Sequence, residues 1–221
     1  MNDVSVPDRL SRRPRDHRGF VIPYFVAWLS EQGQRAEEPA GTPDFRVIDS
    51  VRLRRCVNEK RCWLCGEPMG VHMGFVLGPM CTINQIISEP PSHRDCAEYA
   101  LKVCPFLTRP RMRRNAKDLP ENHEEAAGLP AERNPGICAL WLTRSYQVFR
   151  PHVGNEGVLF RIGPWEQVSW WREGRPATRA EALMAIEEGY ELLKLQAAQE
   201  GDQALGALER MTLDAMRTLP P

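Results

Sequence analysis

Hydrophobic and polar residues alternate with the period of an α-helix towards the end of the chain. Thr178-Arg179-Ala180-Glu181 has the pattern of a capping box, in which Thr178 is the N-cap and Glu181 reaches back to it. Gly201 is typical of a helix C-terminus, and a second helix is predicted over about 203–217. Apolar residues follow the capping box along one helical face: Leu183, Ile186, Tyr190, Leu193 and Ala197.

Three runs before these helices have the composition of β-strands. Residues 137–149, 158–162 and 165–171 are rich in β-branched, aromatic and other large apolar side chains. Their aromatic residues are expected in the core, because strand spacing places them on a packed face. Residues 137–221 are therefore predicted to form a small antiparallel sheet with two C-terminal helices, which places the chain in the α+β class.

The pattern is weaker earlier in the chain. Asp49 and Ser50 can cap a helix over about 51–59. Residues 33–43 are polar and contain Gly and Pro, which is typical of a loop. Residues 111–136 carry several prolines and many charges with little periodicity, which indicates a proline-rich connector.

Composition indicates a globular protein without a membrane span. The chain has 221 residues, of which 42% are hydrophobic and 26% charged. No stretch approaches the roughly 18 to 20 consecutive apolar residues that a membrane helix needs. The apolar run at 20–29 contains Pro23 and is not followed by the small residues of a signal-peptide cleavage site. We therefore expect a cytoplasmic protein.

The cysteines predict a metal site. Five of the seven lie between Cys62 and Cys104, and such clustering without an export signal favours metal binding over disulfides. Cys62 and Cys65 form a zinc-knuckle pattern, and His93 and Cys96 repeat its spacing. Three thiolates and one imidazole satisfy the closed, tetrahedral coordination of a structural site. We predict that Cys62, Cys65, His93 and Cys96 bind one structural Zn²⁺.

The fourth ligand remains open at this point. Cys104 lies eight residues beyond Cys96, where a helix would return it to the same face, so it could replace His93. Cys81 is a weaker substitute, and Cys56 and Cys138 are most simply buried thiols.

The order of these features resembles that of treble-clef zinc fingers, with a knuckle, then strands, then two ligands at the start of a helix. The resemblance covers about 61–104 and implies a fold rather than a function. The chain is accordingly divided into a basic N-terminal segment (1–44), a zinc-binding treble-clef-like module (45–110), the connector (111–136) and the sheet with its helical hairpin (137–221).

Two catalytic alternatives each use some of the predicted zinc ligands. Cys62 and Cys65 could form a redox dithiol, although Gly66 and Pro68 prevent the helix that would lower the pKa of the first thiol.

The second alternative is a metal-dependent nuclease. HNH-type nucleases also use a treble-clef core, and Asn84 and His93 have the spacing of the Asn and second His of that family. His72 would be the first His. It follows Val71 rather than an acidic residue, and this departure from the pattern disfavours the assignment.

Charge is distributed unevenly along the chain. Residues 1–117 hold 19 Lys and Arg against 13 Asp and Glu, whereas residues 118–221 hold 10 against 16. This asymmetry indicates either a nucleic-acid-facing N-terminal half or two oppositely charged halves that pack together. Five arginines flanking the zinc segment are candidate phosphate contacts, or else a solvated surface: Arg54, Arg55, Arg111, Arg113 and Arg114.

Residues 14–19, 61–66, 78–81 and 89–107 resemble a group of uncharacterised bacterial and phage-associated proteins, which implies a cytosolic context and no particular activity. We expect a non-enzymatic zinc-binding protein that binds nucleic acid or a nucleic-acid-associated protein. The alternatives are the divergent HNH-like nuclease, with His72, Asn84 and His93 at its centre, and a protein-interaction adaptor or inhibitor.

Overall fold

The computed structural model describes residues 4–109, 136–151 and 157–221, which form a mixed arrangement of helices and antiparallel sheets. The α+β class is confirmed. Nearly all of the predicted connector lies outside the described residues. The helices are α1 (Asp8–Ser11), α2 (Ser50–Asn58), α3 (Pro79–Asn84), α4 (Arg94–Val103), α5 (Pro105–Thr108), α6 (Arg179–Glu200) and α7 (Asp202–Met216).

A three-stranded sheet forms early in the chain. Its strand order is β2-β1-β3, with β1 at Val26–Leu29, β2 at Arg35–Ala36 and β3 at Thr42–Ile48. The prediction of a loop over 33–43 is therefore wrong in part, since β2 and the start of β3 fall there. These strands expose much of their length and contain polar residues and Pro43, so their composition resembles that of a loop.

The central sheet has the order β10-β9-β6-β4, with β4 at Met73–Leu77, β6 at Cys138–Thr143, β9 at Trp165–Arg172 and β10 at Arg175–Pro176. All six residues of β6 are buried because both faces of the strand are covered. Leu140 packs with Leu101 of α4 on one face, whereas Ala139 and Trp141 belong to the core that includes Ile186 of α6. The sheet therefore lies between α4 and the C-terminal helices.

A third sheet has the order β5-β8-β7, with β5 at Ile86–Ile87, β7 at Tyr146–Phe149 and β8 at Leu159–Ile162. The predicted strand run at 137–149 is thus two strands, β6 and β7, which belong to different sheets. The chain turns between them, where the Thr143 hydroxyl donates to the Pro164 carbonyl and accepts from the Ser145 amide. Side-chain hydrogen bonding of this kind competes with a continuous ladder.

The two C-terminal helices begin and end within one or two residues of their predicted bounds. The capping box is present: the Thr178 hydroxyl accepts from the Glu181 amide, and the Glu181 carboxylate accepts from the Thr178 amide. Both helices pack on α3, where a Cβ added to Gly189 would lie 3.0 Å from Pro79. None of the described helices has the length and apolar character that crossing a lipid bilayer requires.

Candidate metal centre

The first ligand pair lies on a tight turn. The Cys62 amide donates to the Glu67 carbonyl (2.8 Å), and the Gly66 amide donates to the Cys62 carbonyl (2.9 Å). Arg61 and Pro68 form an antiparallel bridge at the base of this turn. The result is a knuckle that places the thiols of Cys62 and Cys65 on the same side of the turn.

The second pair begins helix α4. His93 is the N-cap residue and Cys96 lies in the first turn, so both side chains project from the same end of the helix. Ser92, just before it, exchanges backbone hydrogen bonds with Gly74 of β4, both 2.8 Å long. The Trp63 amide donates to the Pro91 carbonyl, which joins the knuckle directly to the start of α4.

The four predicted ligands form one compact group, called the metal group below. The candidate ligand atoms of Cys62, Cys65, His93 and Cys96 all lie within 4.8 Å of one another, and this group could hold a metal ion. The three cysteines are 0 to 6% exposed and His93 is 9% exposed. Four donors that converge in a buried space leave little access for a substrate or for bulk water.

The contacts around the group orient its ligands. His93 Nε2 lies 3.1 Å from the Pro68 carbonyl oxygen, and His93 Nδ1 lies 3.4 Å from the Cys65 sulfur. A carbonyl only accepts, so Nε2 carries a proton, and Nδ1 is the ring nitrogen that faces the cysteines. The backbone amides of Cys65 and His93 also point at the Cys62 sulfur, at 3.5 and 3.4 Å.

Contacts within the group shift the pKa values of Cys62, His93 and Cys96. Burial opposes ionisation of Cys62, but hydrogen bonds from Cys65, Cys96 and His93 outweigh it and lower its pKa. The same contacts with Cys62 and Cys65 raise the pKa of His93 to about 10 and raise that of Cys96. The contacts therefore favour the thiolate of Cys62, and a bound cation would release protons from the group.

The N-terminal segment covers this group. Leu10 and Val21 are buried against Cys62, Cys65 and Cys96. Arg9 pairs with Asp95 of α4 at 2.8 Å, and Arg12 pairs with Glu67 of the knuckle at 2.9 Å. Sequence reasoning missed this cover. Its local signals are Leu10, an isolated apolar residue in an arginine-rich stretch, and Val21, at the start of the apolar run at 20–29.

The remaining cysteines lie outside the metal group. Cys104 is the C-cap of α4 and, among the described residues, does not belong to the group, so the structure favours His93 as the fourth ligand. Burial raises the pKa of Cys104, and it raises the pKa of Cys56 and Cys138 to about 12 and that of Cys81 to about 11. Cys56 and Cys138 are buried and Cys81 and Cys104 are partly buried, and their raised pKa values disfavour the reactive thiolate.

The three residues of the nuclease alternative make separate contacts. His72 Nδ1 lies 2.7 Å from the Glu166 carboxylate on an exposed part of the central sheet. The Asn84 side-chain oxygen accepts from the Ile86 amide, which caps the turn after α3. His93 faces the cysteines. No side-chain contact joins the three in the described part of the chain.

Two of the candidate phosphate contacts are described. Arg54 and Arg55 are exposed on α2, eight and seven residues before Cys62. Arg52 of the same helix is buried and pairs with Glu38 at 2.7 Å. Arg111, Arg113 and Arg114 lie outside the described residues.

The site was also compared with known proteins. Comparisons of the chain with protein-family models, with curated proteins and with solved structures each gave no match.

Proposed function

We propose that this is a non-enzymatic zinc-binding protein, in which Zn²⁺ has a structural role and the surface near the site binds nucleic acid. The observation that supports the proposal best is the closed set of four converging ligands. A catalytic zinc keeps one coordination position for water, whereas three thiolates and one imidazole complete a tetrahedron. The hydrogen bond from His93 Nε2 to the Pro68 carbonyl is the outer contact that a ligating imidazole requires.

The donor set is the reason for proposing zinc. Thiolate and imidazole ligands together suit Zn²⁺, whereas Mg²⁺ and Ca²⁺ take oxygen ligands. The order of knuckle and helix-borne ligands supports a treble-clef-like arrangement. The strands between the ligand pairs do not form a hairpin with each other, since β4 pairs with β6 and β5 pairs with β8.

Metal content tests the zinc proposal. We expect about one zinc per chain in protein purified without chelators, by elemental analysis. Cys96→Ser should lose the zinc and the folded state together, because it removes a ligand and leaves a buried polar group. Cys104→Ser is the matched control, since it changes a partly buried thiol at the other end of α4, outside the group, and should keep the metal. His72→Ala should also keep it.

Two results would contradict the assignment. One is native protein that is folded without zinc, and the other is loss of zinc in Cys104→Ser while Cys96→Ser retains it. In the first case the dithiol interpretation of Cys62 and Cys65 becomes the leading one.

The nucleic-acid part of the proposal rests on exposed positive charge beside the metal group. Arg54 and Arg55 are exposed on α2, where they can approach a phosphate backbone. Arg52 anchors the same helix, because it donates to the Tyr24 carbonyl and pairs with Glu38. Arginine forms bidentate contacts with phosphate, and each such contact releases counterions from the nucleic acid.

Salt dependence tests this second part. Fluorescence anisotropy with a labelled DNA duplex and a labelled single-stranded RNA should show affinity that falls at least about tenfold between roughly 50 and 200 mM salt. Arg54→Gln with Arg55→Gln should weaken binding and reduce the salt slope by about 2. Arg150→Gln with Arg210→Gln is the control, because it removes equal charge from exposed positions in the C-terminal half. Equal slopes for both double variants, or binding insensitive to salt, would rule out this surface.

A further inference from the structure

Helix α6 has apolar residues on two opposite sides. One side is buried in the core through Ala182, Ala185 and Ile186. The other side carries Met184 and Leu195, which are 58% and 70% exposed. At 100° per residue, positions 184, 188, 191 and 195 lie within about 60° of one another, so they form one stripe along the helix.

Two members of this stripe, Glu188 and Glu191, line a groove between α6 and α7. The groove has a volume of about 710 Å³. The apolar part of its lining, called the floor here, consists of Tyr190 of α6 with Leu213 and Met216 of α7, and Thr212 also lines the groove. Leu213 is 61% exposed. An apolar floor of this size between two helices is a suitable seat for a third helix.

The rim of the groove is acidic. Glu187, Glu188 and Glu191 line it from α6, and Glu209 lines it from α7. Lys194 lies 3.9 Å from Glu191 and 5.5 Å from the centre of the Tyr190 ring, so part of the charge of Glu191 is balanced within the helix. The ion pairs of the described residues involve none of the other three glutamates. An apolar floor is therefore bordered by uncompensated negative charge.

We propose that this groove, which we call the α6–α7 groove, binds a basic amphipathic helix of a partner protein. Apolar residues spaced as i, i+3 or i+4, and i+7 would contact Tyr190, Leu213 and Met216, and flanking Lys or Arg would pair with the glutamates. A second copy of the chain is disfavoured as the occupant, because it would bring two sets of the same glutamates together. The inference goes beyond the proposed zinc and nucleic-acid functions and rests on neither.

The test uses the full chain and synthetic helices. The probe is a fluorescein-labelled amphipathic peptide of about 14 residues, with Leu on one face and Lys on the other, roughly 21 Å long as a helix. Two companion peptides have Glu in place of Lys, or the same Leu and Lys in an order without helical periodicity. We expect saturable binding of the basic amphipathic peptide at least about tenfold tighter than that of either companion.

Groove variants locate the binding. The triple change Glu187→Lys, Glu188→Lys and Glu209→Lys should reverse the preference, so that the acidic peptide binds about tenfold tighter than the basic one. Leu213→Ala should weaken binding of the basic peptide several-fold, whereas Val71→Ala, which shortens an equally exposed side chain elsewhere, should not. Glu31→Lys is the control, because it reverses a charge at an exposed turn elsewhere in the chain and should leave the preference unchanged.

Three outcomes would overturn the proposal. One is equal binding of the basic and acidic peptides by the native chain. Another is a preference that the triple charge reversal leaves unchanged. The third is a homodimer, seen by analytical ultracentrifugation, that Leu213→Ala dissociates, since the groove would then hold a second copy.

Discussion

At the scale of single residues, Gly66 controls the shape of the knuckle. It has φ +80, and a Cβ at this position would lie 2.5 Å from a ring carbon of Tyr24. The Tyr24 amide in turn donates to the Leu64 carbonyl within the same turn. A side chain at position 66 would therefore be strained twice, by its backbone conformation and by contact with an aromatic ring.

We expect Gly66→Ala to destabilise the folded, metal-bound protein by about 1 to 3 kcal/mol and to weaken metal binding, because the two thiols would move apart. Urea unfolding and competition with a metallochromic chelator measure the two effects. Gly70→Ala is the matched control: Gly70 lies in the same part of the chain, and a Cβ there meets nothing within 4 Å. Equal loss in both variants would show that the knuckle conformation is not the cause.

Residue patterns predicted the group of candidate ligands but not its surroundings. Cys62 with Cys65, and His93 with Cys96, are local pairs whose spacing alone indicates a metal group. The contacts that orient and cover them come from elsewhere in the chain. Leu10 and the Pro68 carbonyl are examples, and neither has a recognisable pattern. The choice between His93 and Cys104 likewise depended on where α4 begins and ends.

At the scale of elements, the capping box of α6 is its best-defined feature. The Arg175 guanidinium and the Thr178 amide both donate to the Glu181 carboxylate, and they lower its pKa from 4.5 to about 2. The folded pKa is below the unfolded value, so the stabilisation is complete above about pH 4.5 and is lost as the pH falls through about 2.

Thr178→Ala should lower the free energy of unfolding by about 1 kcal/mol at neutral pH, because one N-cap hydrogen bond is lost. Thr178→Ser keeps the hydroxyl and should stay close to the native value. Glu181→Gln should remove part of the decrease in stability between about pH 4.5 and 2. Urea titrations followed by circular dichroism at several pH values measure all three, and an unchanged pH dependence in Glu181→Gln would refute the role of this carboxylate.

Elements with local signals were predicted well, and others were not. Helices α2 and α6 have N-cap residues, and α6 and α7 have periodic apolar residues. The observed bounds of all three differ from the predicted ones by one or two residues. The run at 137–149 is continuous in composition, so its division into β6 and β7 depends on hydrogen bonds to Pro164 that the run itself does not reveal. Strand β2 is too short and too polar to stand out.

At the scale of the whole molecule, the central sheet joins parts of the chain that sequence reasoning assigned to different domains. Strand β4 lies in the predicted zinc module, and its partner β6 lies after the predicted connector. Their five-residue register, from Met73 opposite Thr143 to Leu77 opposite Ala139, depends on pairing between distant segments. Such pairing leaves no local trace beyond two buried apolar runs, so only the strand content could be predicted.

Helix α4 connects this sheet to the metal group. Its first turn carries Cys96, and further along its Ala97 and Leu101 pack against Leu140 of β6. The metal group and the main sheet are thus attached to one helix about 15 Å long. A disturbance at the ligands would be transmitted directly to the packing of the sheet.

The position of the two ligand pairs along the chain has a consequence for chain entropy. The 27 residues between Cys65 and His93 include helix α3 and the strands β4 and β5, which belong to two different sheets. A metal bridging both pairs closes this span as a cross-link would, and in the chain-entropy model a covalent link over such a loop removes about 3 to 4 kcal/mol of freedom from the unfolded state. The stability of the molecule would then rise with the logarithm of the free metal concentration, so metal supply would set the folded fraction.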